Sequence, residues 1–308
     1  MQVIHKNHME ILWHDYAEAI DDIPITSAGI IEKSSVIGRT GLMLLSCGTG
    51  AWRVRSSMNT LARELGITCT ADIGLLSIEY TCIAGGDCYT ESLCLFNTGV
   101  NTSKLYRMEL FVNKFATNCK KMSGDELHTL LDQIHEIHGF YSPPFLGLAA
   151  AVACCAFTFL LGGGPIEMFC AFLGAGAGNY LRAKMNQHHL TLFLCTAASV
   201  ALACVVYTIS FMALKSGFDV SIHHQAGYIC SMLFIIPGFP FITSGIDLAK
   251  LDMRSGLERL TYAIIIIAVA TLTAWMLALV LHLKPMDFLP LGLNKFQYLI
   301  FRLIGSFF

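Results

Sequence analysis

The chain has 308 residues, of which 55% are hydrophobic and 14% are charged, and its formal net charge is −2. Soluble domains carry about 25% charged residues, so much of the chain is predicted to lie in lipid. The near-neutral net charge argues against a nucleic-acid partner. Residues 1–142 have the composition of a soluble domain, whereas residues 143–283 are almost continuously apolar. The 12 cysteines include no Cys-x-x-Cys pair, which predicts free thiols rather than a zinc site or a disulfide framework.

The N-terminal half is predicted to be an α+β domain over residues 34–142, preceded by a leader at 1–33 that is too polar and acidic for a signal peptide. Runs with helical spacing alternate here with runs of strand-forming residues separated by glycines. In chain order these runs are a helix over 34–65 that breaks at 47–50, strands over 67–73, 75–83 and 89–96, and helices over 103–115 and 124–138. The Gly85-Gly86-Asp87 sequence between the last two strands is typical of a hairpin turn.

Two groups of residues in this domain could bind a ligand. Gly48 and Gly50, followed by Arg53 and Arg55, could form an anion-binding helix start. The run lacks the strand and G-x-G-x-x-G context of a dinucleotide site and the Lys-Ser/Thr pair of a P-loop, which argues against a nucleotide. Three histidines share one face of the last predicted helix: His128, His135 and His138. Because no carboxylate or cysteine completes a metal site, a solvated helix face is favoured, and no metal or cofactor is predicted.

The apolar half begins at Pro143-Pro144 and is predicted to cross the membrane about five times, since each run approaches the roughly 20 residues that a crossing needs. The predicted spans are 145–161, 166–181, 190–214, 226–248 and 260–283. The fold class is therefore an α-helical integral membrane protein with an α+β N-terminal domain. The apolar tail at 284–308 is interrupted by two basic residues, which favours an amphipathic interfacial helix over a sixth span.

The distribution of lysine and arginine predicts the orientation of these spans. The loop after the second span holds Arg182 and Lys184, and the loop after the fourth holds Lys250, Arg254 and Arg259, whereas the opposite loops hold one basic residue or none. Basic loops stay on the cytoplasmic side. We therefore expect the N-terminal domain to be cytoplasmic and the C-terminus to lie outside.

The fourth predicted span is interrupted by Pro237-Gly238-Phe239-Pro240. A break of this kind within a membrane is tolerated where the freed backbone groups are buried in protein or line a cavity, and broken helices indicate the binding sites of transporters. A kinked packing helix is the alternative. Asp247, about two turns further on, could couple protons to transport, but an interfacial carboxylate paired with Lys250 or Arg254 is favoured.

The second predicted span carries Gly174 and Gly178 at a spacing that lets another helix approach closely. A substrate path lined by bare backbone and Asn179 is the functional alternative to simple packing. Together with the broken span, the residues predicted to line such a path are Pro237, Gly238, Phe239, Pro240, Thr243, Ser244, Asp247 and Asn179. Three arginines could gather anions at its cytoplasmic mouth: Arg53, Arg55 and Arg182.

Four stretches, in this order, resemble the threonine/serine exporter (ThrE-type) family, specifically the larger component of its split, two-subunit form. They are 45–66 (LSCGTGAWRVRSSMNTLARELG), 97–113 with its Gly-x-Asn and Leu-Tyr-Arg pattern, 162–182, and 235–259 (IIPGFPFITSGIDLAKLDMRSGLER). One departure is Arg55, since the family usually has a glutamate at that position.

The resemblance implies a non-enzymatic exporter of threonine and serine, or of small dicarboxylates such as succinate, in the bacterial inner membrane. It also implies a small membrane subunit that supplies the other half of the transporter, in a homo- or hetero-oligomer. The alternative is a membrane-anchored sensor or scaffold whose cytoplasmic domain binds a ligand or partner. A continuous polar path between the second and fourth spans would favour the exporter.

Overall fold

The computed structural model describes residues 11–16, 23–137, 141–188, 190–215 and 225–283, which are mostly helical and include one small sheet. The predicted tail at 284–308 and His138 lie outside the described residues. The elements are α1 (Ile30–Ser46), α2 (Ala51–Glu64), β1 (Thr68–Ile73), β2 (Ser77–Ala84), β3 (Asp87–Cys94), α3 (Thr102–Lys114), α4 (Gly124–His135), α5 (Pro143–Leu160), α6 (Pro165–Gln187), α7 (Leu192–Lys215), α8 (Gln225–Cys230), α9 (Gly238–Ala249) and α10 (Met253–Val280).

The chain divides into two compact units. The first contains the described residues up to Tyr141 together with Ile236 to Ile267, and the second contains Ser142 to Ile235 and the described residues from Ala268 onward. The first unit therefore joins the N-terminal domain to α9 and the beginning of α10. The second contains α5 to α8 and the rest of α10.

The three predicted strands form one antiparallel sheet in the order β1-β2-β3. Ala84 pairs with Asp87 across the hairpin, so the turn consists of Gly85 and Gly86, whose φ angles of 58° and 100° suit glycine. This confirms the predicted hairpin. The buried face of β2 presents side chains such as Ile78 and Tyr80 to the core that also contains α1, because alternate residues of a strand point to the same side.

Local signals also set the helix boundaries of the first unit. The predicted break at 47–50 separates α1 from α2, with Gly48 at a φ of 81°. Ser123 and Glu126 form a capping box in which the Ser123 hydroxyl accepts from the Glu126 N–H at 3.3 Å and the Glu126 carboxylate accepts from the Ser123 N–H at 3.0 Å. These contacts satisfy amide groups that would otherwise lack partners at the start of α4.

The histidine face predicted on α4 is only partly solvated, because His128 is fully buried whereas His135 is exposed. Its Nε2 lies 3.0 Å from the Ser35 hydroxyl and its Nδ1 lies 3.3 Å from Arg39 Nη1. Burial lowers the pKa of His128 to about 3. His128 is thus a hydrogen-bonded core residue, and the described part of the chain contains no cluster of side chains arranged to hold a metal ion.

His14, in a short 3₁₀ turn of the leader, is held between two carboxylates of α4. Its Nδ1 lies 2.5 Å from Asp125 and its Nε2 lies 2.9 Å from Asp132, which also pairs with Arg39. Hydrogen bonds to both carboxylates raise the pKa of His14 above its ordinary value. When the imidazole is protonated, these ion pairs bind the 3₁₀ turn of the leader to α4.

This raised pKa makes part of the stability depend on pH. A folded-state pKa above the unfolded value gives stabilisation that is fully present below about pH 6.5 and is lost as the pH rises through the folded pKa. We expect His14→Gln to lower the free energy of unfolding at pH 5.5 by up to about 1 kcal/mol, since the pair is exposed, and to have little effect at pH 8.5. Thermal unfolding across this pH range measures the difference, with His188→Gln as the control; a pH-independent difference would contradict the expectation.

Three helices of the described chain are long and apolar enough to cross a membrane: α5, α7 and α10. A fourth crossing is possible if Ala226–Ile235 and Gly238–Ala249 form one broken span. The predicted second span corresponds to α6, which contains Glu167, Arg182 and Lys184. It is not among the helices that are long and apolar enough to cross a membrane. Membrane helices are therefore confirmed, whereas five crossings remain a prediction.

In the second unit, α6 lies against α5 on one side and α7 on the other. A Cβ added at Gly174 would lie 2.7 Å from the Ala203 carbonyl oxygen, and one added at Gly178 would lie 2.7 Å from that of Ser199. The glycines thus let α6 and α7 pack closely, as the packing interpretation expects. The Asn179 amide donates to the Leu146 carbonyl at 2.8 Å and so connects α6 to α5.

Candidate functional site

The two prolines of the interrupted span define the start of α9 rather than distort a continuous helix. Pro237 is the N-cap residue, and Pro240 lies in the first turn, where proline removes no intrahelical hydrogen bond. The Phe241 N–H donates to the Pro237 carbonyl at 3.2 Å, which closes this turn. The break therefore separates α9 from the short 3₁₀ turn Leu233–Ile235.

A tight reversal after α9 brings its last turn against the beginning of α10. Leu251 has a φ of 64°, which is unusual for a residue with a side chain, and the Asp252 N–H donates to the Asp247 carbonyl at 2.9 Å. The Ser244 hydroxyl donates to the Gly256 carbonyl across the reversal at 2.7 Å. A Cβ at Gly256 would lie 2.7 Å from the Leu248 side chain, so the two helices are in close contact.

Asp247, in the last full turn of α9, lies at the centre of a buried polar cluster. Its Oδ2 accepts from the Ser255 hydroxyl at 2.9 Å and from the Ala51 N–H at 3.1 Å. Arg259 Nε lies 3.4 Å from the same oxygen and forms an ion pair. Asp247 is fully buried and Arg259 is 2% exposed, so this pair is shielded from water and poorly screened.

Arg259 connects α10 to the turn between α1 and α2. Its Nη1 donates to the Gly48 carbonyl at 3.1 Å and its Nη2 donates to the Thr49 carbonyl at 2.8 Å. Its Nε also donates to the Ser255 hydroxyl at 3.0 Å. The guanidinium thus uses every nitrogen on buried partners, as a buried arginine requires.

The predicted anion-binding helix start is filled by the chain's own carboxylate. Asp247 lies at the N-terminus of α2, where free N–H groups and the helix dipole favour negative charge. Gly50 leaves the necessary space, since a Cβ there would lie 2.7 Å from Asp247 Oδ1. That Oδ1 is buried and has no hydrogen-bond partner among the described residues. The contacts of the carboxylate with the described residues are therefore all made through Oδ2.

The structure pairs Asp247 with Arg259, not with Lys250 or Arg254 as the interfacial alternative expected. Lys250 Nζ lies 4.0 Å from the centroid of the Trp52 ring, and Arg254 pairs with Asp72 and Glu258. The difference arises because the reversal after α9 turns Asp247 inward.

The predicted anion-gathering arginines all have partners in this structure. Arg53 pairs with Glu109 at 2.7 Å, and Arg55 pairs with Asp252 at 2.5 Å. In the second unit, Arg182 Nη1 donates to the Phe234 carbonyl at 3.4 Å. Asp252 thus gives the unusual Arg55 an acidic partner, so the base at this position is compensated.

Residues of the predicted path lie in both units, and within the first unit the structure places some of them against α10. Ser244 and Asp247 both contact the beginning of α10, and Thr243 donates within α9 to the Phe239 carbonyl at 3.0 Å. The sequence interpretation missed Ser255 and Arg259 as partners of Asp247. Their spacing of four residues places both on one face of α10. This spacing could indicate contact with Asp247 only once the reversal between α9 and α10 was known.

A family model described as "Putative threonine/serine exporter" matches residues 35–282, which is most of the chain and includes the Asp247 cluster. The chain belongs to this family.

This family member is also similar to two curated proteins, each called "Probable succinate transporter subunit YjjP". The one from Escherichia coli (strain K12) is 26% identical over 244 residues, which cover 76% of this chain and 91% of that protein. The one from Klebsiella aerogenes is 25% identical over 244 residues, covering 76% and 90%. No solved structure matches the chain. The family and the apolar helices together show a membrane protein of transporter type.

Proposed function

We propose that the chain is one component of a secondary transporter that exports small carboxylate-bearing metabolites from the cytoplasm. The observation that carries the proposal is the buried Asp247–Arg259 pair, which joins the helix after the break to the N-terminus of α2. Burying two charges is expensive even when they pair, so a pair kept at this cost next to the break is a candidate for function. The description of the family names threonine and serine, and the names of the relatives include succinate. These three compounds share a carboxylate.

The proposed mechanism is alternating access around the break at Pro237–Pro240. The Ala51 N–H, the Ser255 hydroxyl and Arg259 form a donor set that suits the carboxylate of a small substrate. A substrate carboxylate would compete with Asp247 for these donors, and its binding would release α9 from the turn before α2. The unpartnered Oδ1 of Asp247 supports this exchange, because the internal carboxylate does not use all of its hydrogen-bonding capacity.

The remaining predicted residues have supporting roles in this proposal. The backbone around Gly238 and Phe239, with Thr243, Ser244 and Asn179, would line the path. Arg53, Arg55 and Arg182 would draw anions toward its cytoplasmic mouth when their contacts in this structure open. The word "subunit" in the relatives' names supports a second component. We propose a small membrane subunit of the same family, in the bacterial inner membrane, with the N-terminal domain in the cytoplasm.

Efflux from loaded cells tests this function. Cells without other exporters of these compounds are loaded with radiolabelled succinate or threonine, and efflux is followed with the chain, the small subunit, both or neither. We expect fast efflux only with both, because the chain by itself supplies half of the path. If efflux with both components is no faster than efflux with neither, the proposal is overturned.

The same assay tests the break. Pro237→Ala with Pro240→Ala should slow efflux severalfold, since alanine allows the helix to extend across the break. Pro144→Ala, which changes a proline in the first turn of α5, is the matched control and should leave efflux unchanged. Full efflux by the double variant, with normal amounts of protein in the membrane, would remove the break from the mechanism.

A further inference from the structure

A groove of about 480 Å³ opens in the first unit between α3, the π-helical turn Phe115–Cys119 and α4. It shares no residue with the Asp247 cluster. Its volume lies within the range of about 300–1,000 Å³ that is usual for small-molecule sites. π-Helical turns are rare and are frequently found at functional sites, so the wall formed by this turn is a second notable feature of the groove.

The base of the groove is lined by apolar side chains, and its rim carries basic and amide side chains. The apolar residues are Leu110, Phe111, Met122, Leu130, Ile134 and Ile137. The charged and amide side chains are Arg107, Lys114, Asn118 and Gln133. The lining contains no aspartate or glutamate. Any ligand that fits would therefore meet positive charge without competition from a carboxylate of the protein.

The two cations are arranged along one wall. Arg107 and Lys114 are both exposed residues of α3, and because they are seven residues apart they lie on the same helix face with a rise of about 10 Å between them. Neither has an ion-pair partner within the described ranges, whereas Arg53 and Arg55 of the same unit each contact a carboxylate. Two uncompensated charges beside an apolar base complement an anion that also has an apolar part.

We propose that this groove binds an elongated organic dianion, with an acidic group at each end and an aliphatic middle, such as a medium-chain α,ω-dicarboxylate. The end groups pair with Arg107 and Lys114, the aliphatic chain covers the apolar base, and the Asn118 amide donates to a carboxylate oxygen. Binding here is separate from carriage of substrate, because the groove and the Asp247 cluster have no residue in common. The N-terminal domain thereby gains a ligand site of its own.

The test titrates octanedioate into the purified full chain in lipid nanodiscs and measures the heat of binding. We expect one saturable site per chain. Arg107→Gln with Lys114→Gln should weaken binding by about two- to thirtyfold, as expected for the loss of two exposed charge pairs. The matched control is Arg63→Gln with Lys121→Gln, which removes two exposed cations that do not line the groove; it should bind like the wild type.

Two further ligands separate this site from the proposed transport site. Octane-1,8-diamine, which has the same length and opposite charge, should not bind, and excess succinate, which lacks the long aliphatic middle, should not displace octanedioate. Displacement by succinate would assign the binding to a succinate site and overturn the inference without affecting the proposed function. Unsaturable binding, equal binding of the diamine, or unchanged affinity in the Arg107 and Lys114 double variant would also overturn it.

Discussion

Replacing Arg259 with methionine is expected to lower the free energy of unfolding by about 3–5 kcal/mol and to abolish export, because it leaves a fully buried carboxylate without its counter-ion. Asp247 would retain only the Ser255 hydroxyl and the Ala51 N–H as donors. The carbonyls of Gly48 and Thr49 would also lose their donor. Denaturant titration of the purified full chain measures the stability, and succinate or threonine efflux measures the function.

The double variant Asp247→Asn with Arg259→Met separates charge from packing. We expect it to recover a large part of the lost stability, because removing both partners leaves no isolated buried charge and asparagine can still accept from the Ala51 N–H. Export should not recover. Arg254→Gln is the control, since Arg254 pairs with Asp72 at an exposed position and should cost less than about 1 kcal/mol. If Arg259→Met costs no more than this control, the buried pair does not stabilise the first unit.

Gly50→Ala is expected to disrupt the same cluster from the side of α2. The φ and ψ angles of Gly50, −66° and 155°, suit alanine, so the effect comes from contact alone. The added methyl would lie 2.7 Å from Asp247 Oδ1 and must push the carboxylate away from the Ala51 N–H. We expect a loss of about 1–3 kcal/mol in the free energy of unfolding, as for overpacked cores, together with severely reduced efflux.

Gly245→Ala is the matched control for this substitution. Gly245 lies in α9, two residues before Asp247, and a Cβ there meets no atom within 4 Å. It should change stability by no more than about 1 kcal/mol, in the stabilising direction, because alanine favours a helix. Similar stability and efflux for the two glycine variants would show that space at Gly50 is not needed. A loss of stability and efflux in Gly50→Ala but not in Gly245→Ala would confirm that the space at Gly50 is needed for the Asp247 carboxylate.

Short-range signals predicted much of the first unit. Gly85-Gly86 marked the hairpin because only residues tolerant of positive φ suit a two-residue turn, and Gly48 and Gly50 marked the break between α1 and α2. The number of membrane crossings was harder to predict from the sequence. Hydropathy suggested a span at 166–181, but α6 runs from Pro165 to Gln187 and includes Glu167, Arg182 and Lys184. His128 shows a similar limit, since its position on a helix face did not reveal that its own side chain is buried.

The sequence by itself determined two halves of the candidate site. Gly48 and Gly50 indicated a helix start able to receive an anion, and Pro237 and Pro240 indicated a break followed by Asp247. Only the tertiary structure decided that these halves belong together, with Arg259 as their shared partner. The physical reason is distance along the chain: caps and turns are encoded by neighbouring residues, whereas Ala51 and Asp247 are 196 positions apart. Their contact depends on the reversal at Leu251 and on the close packing of the first unit.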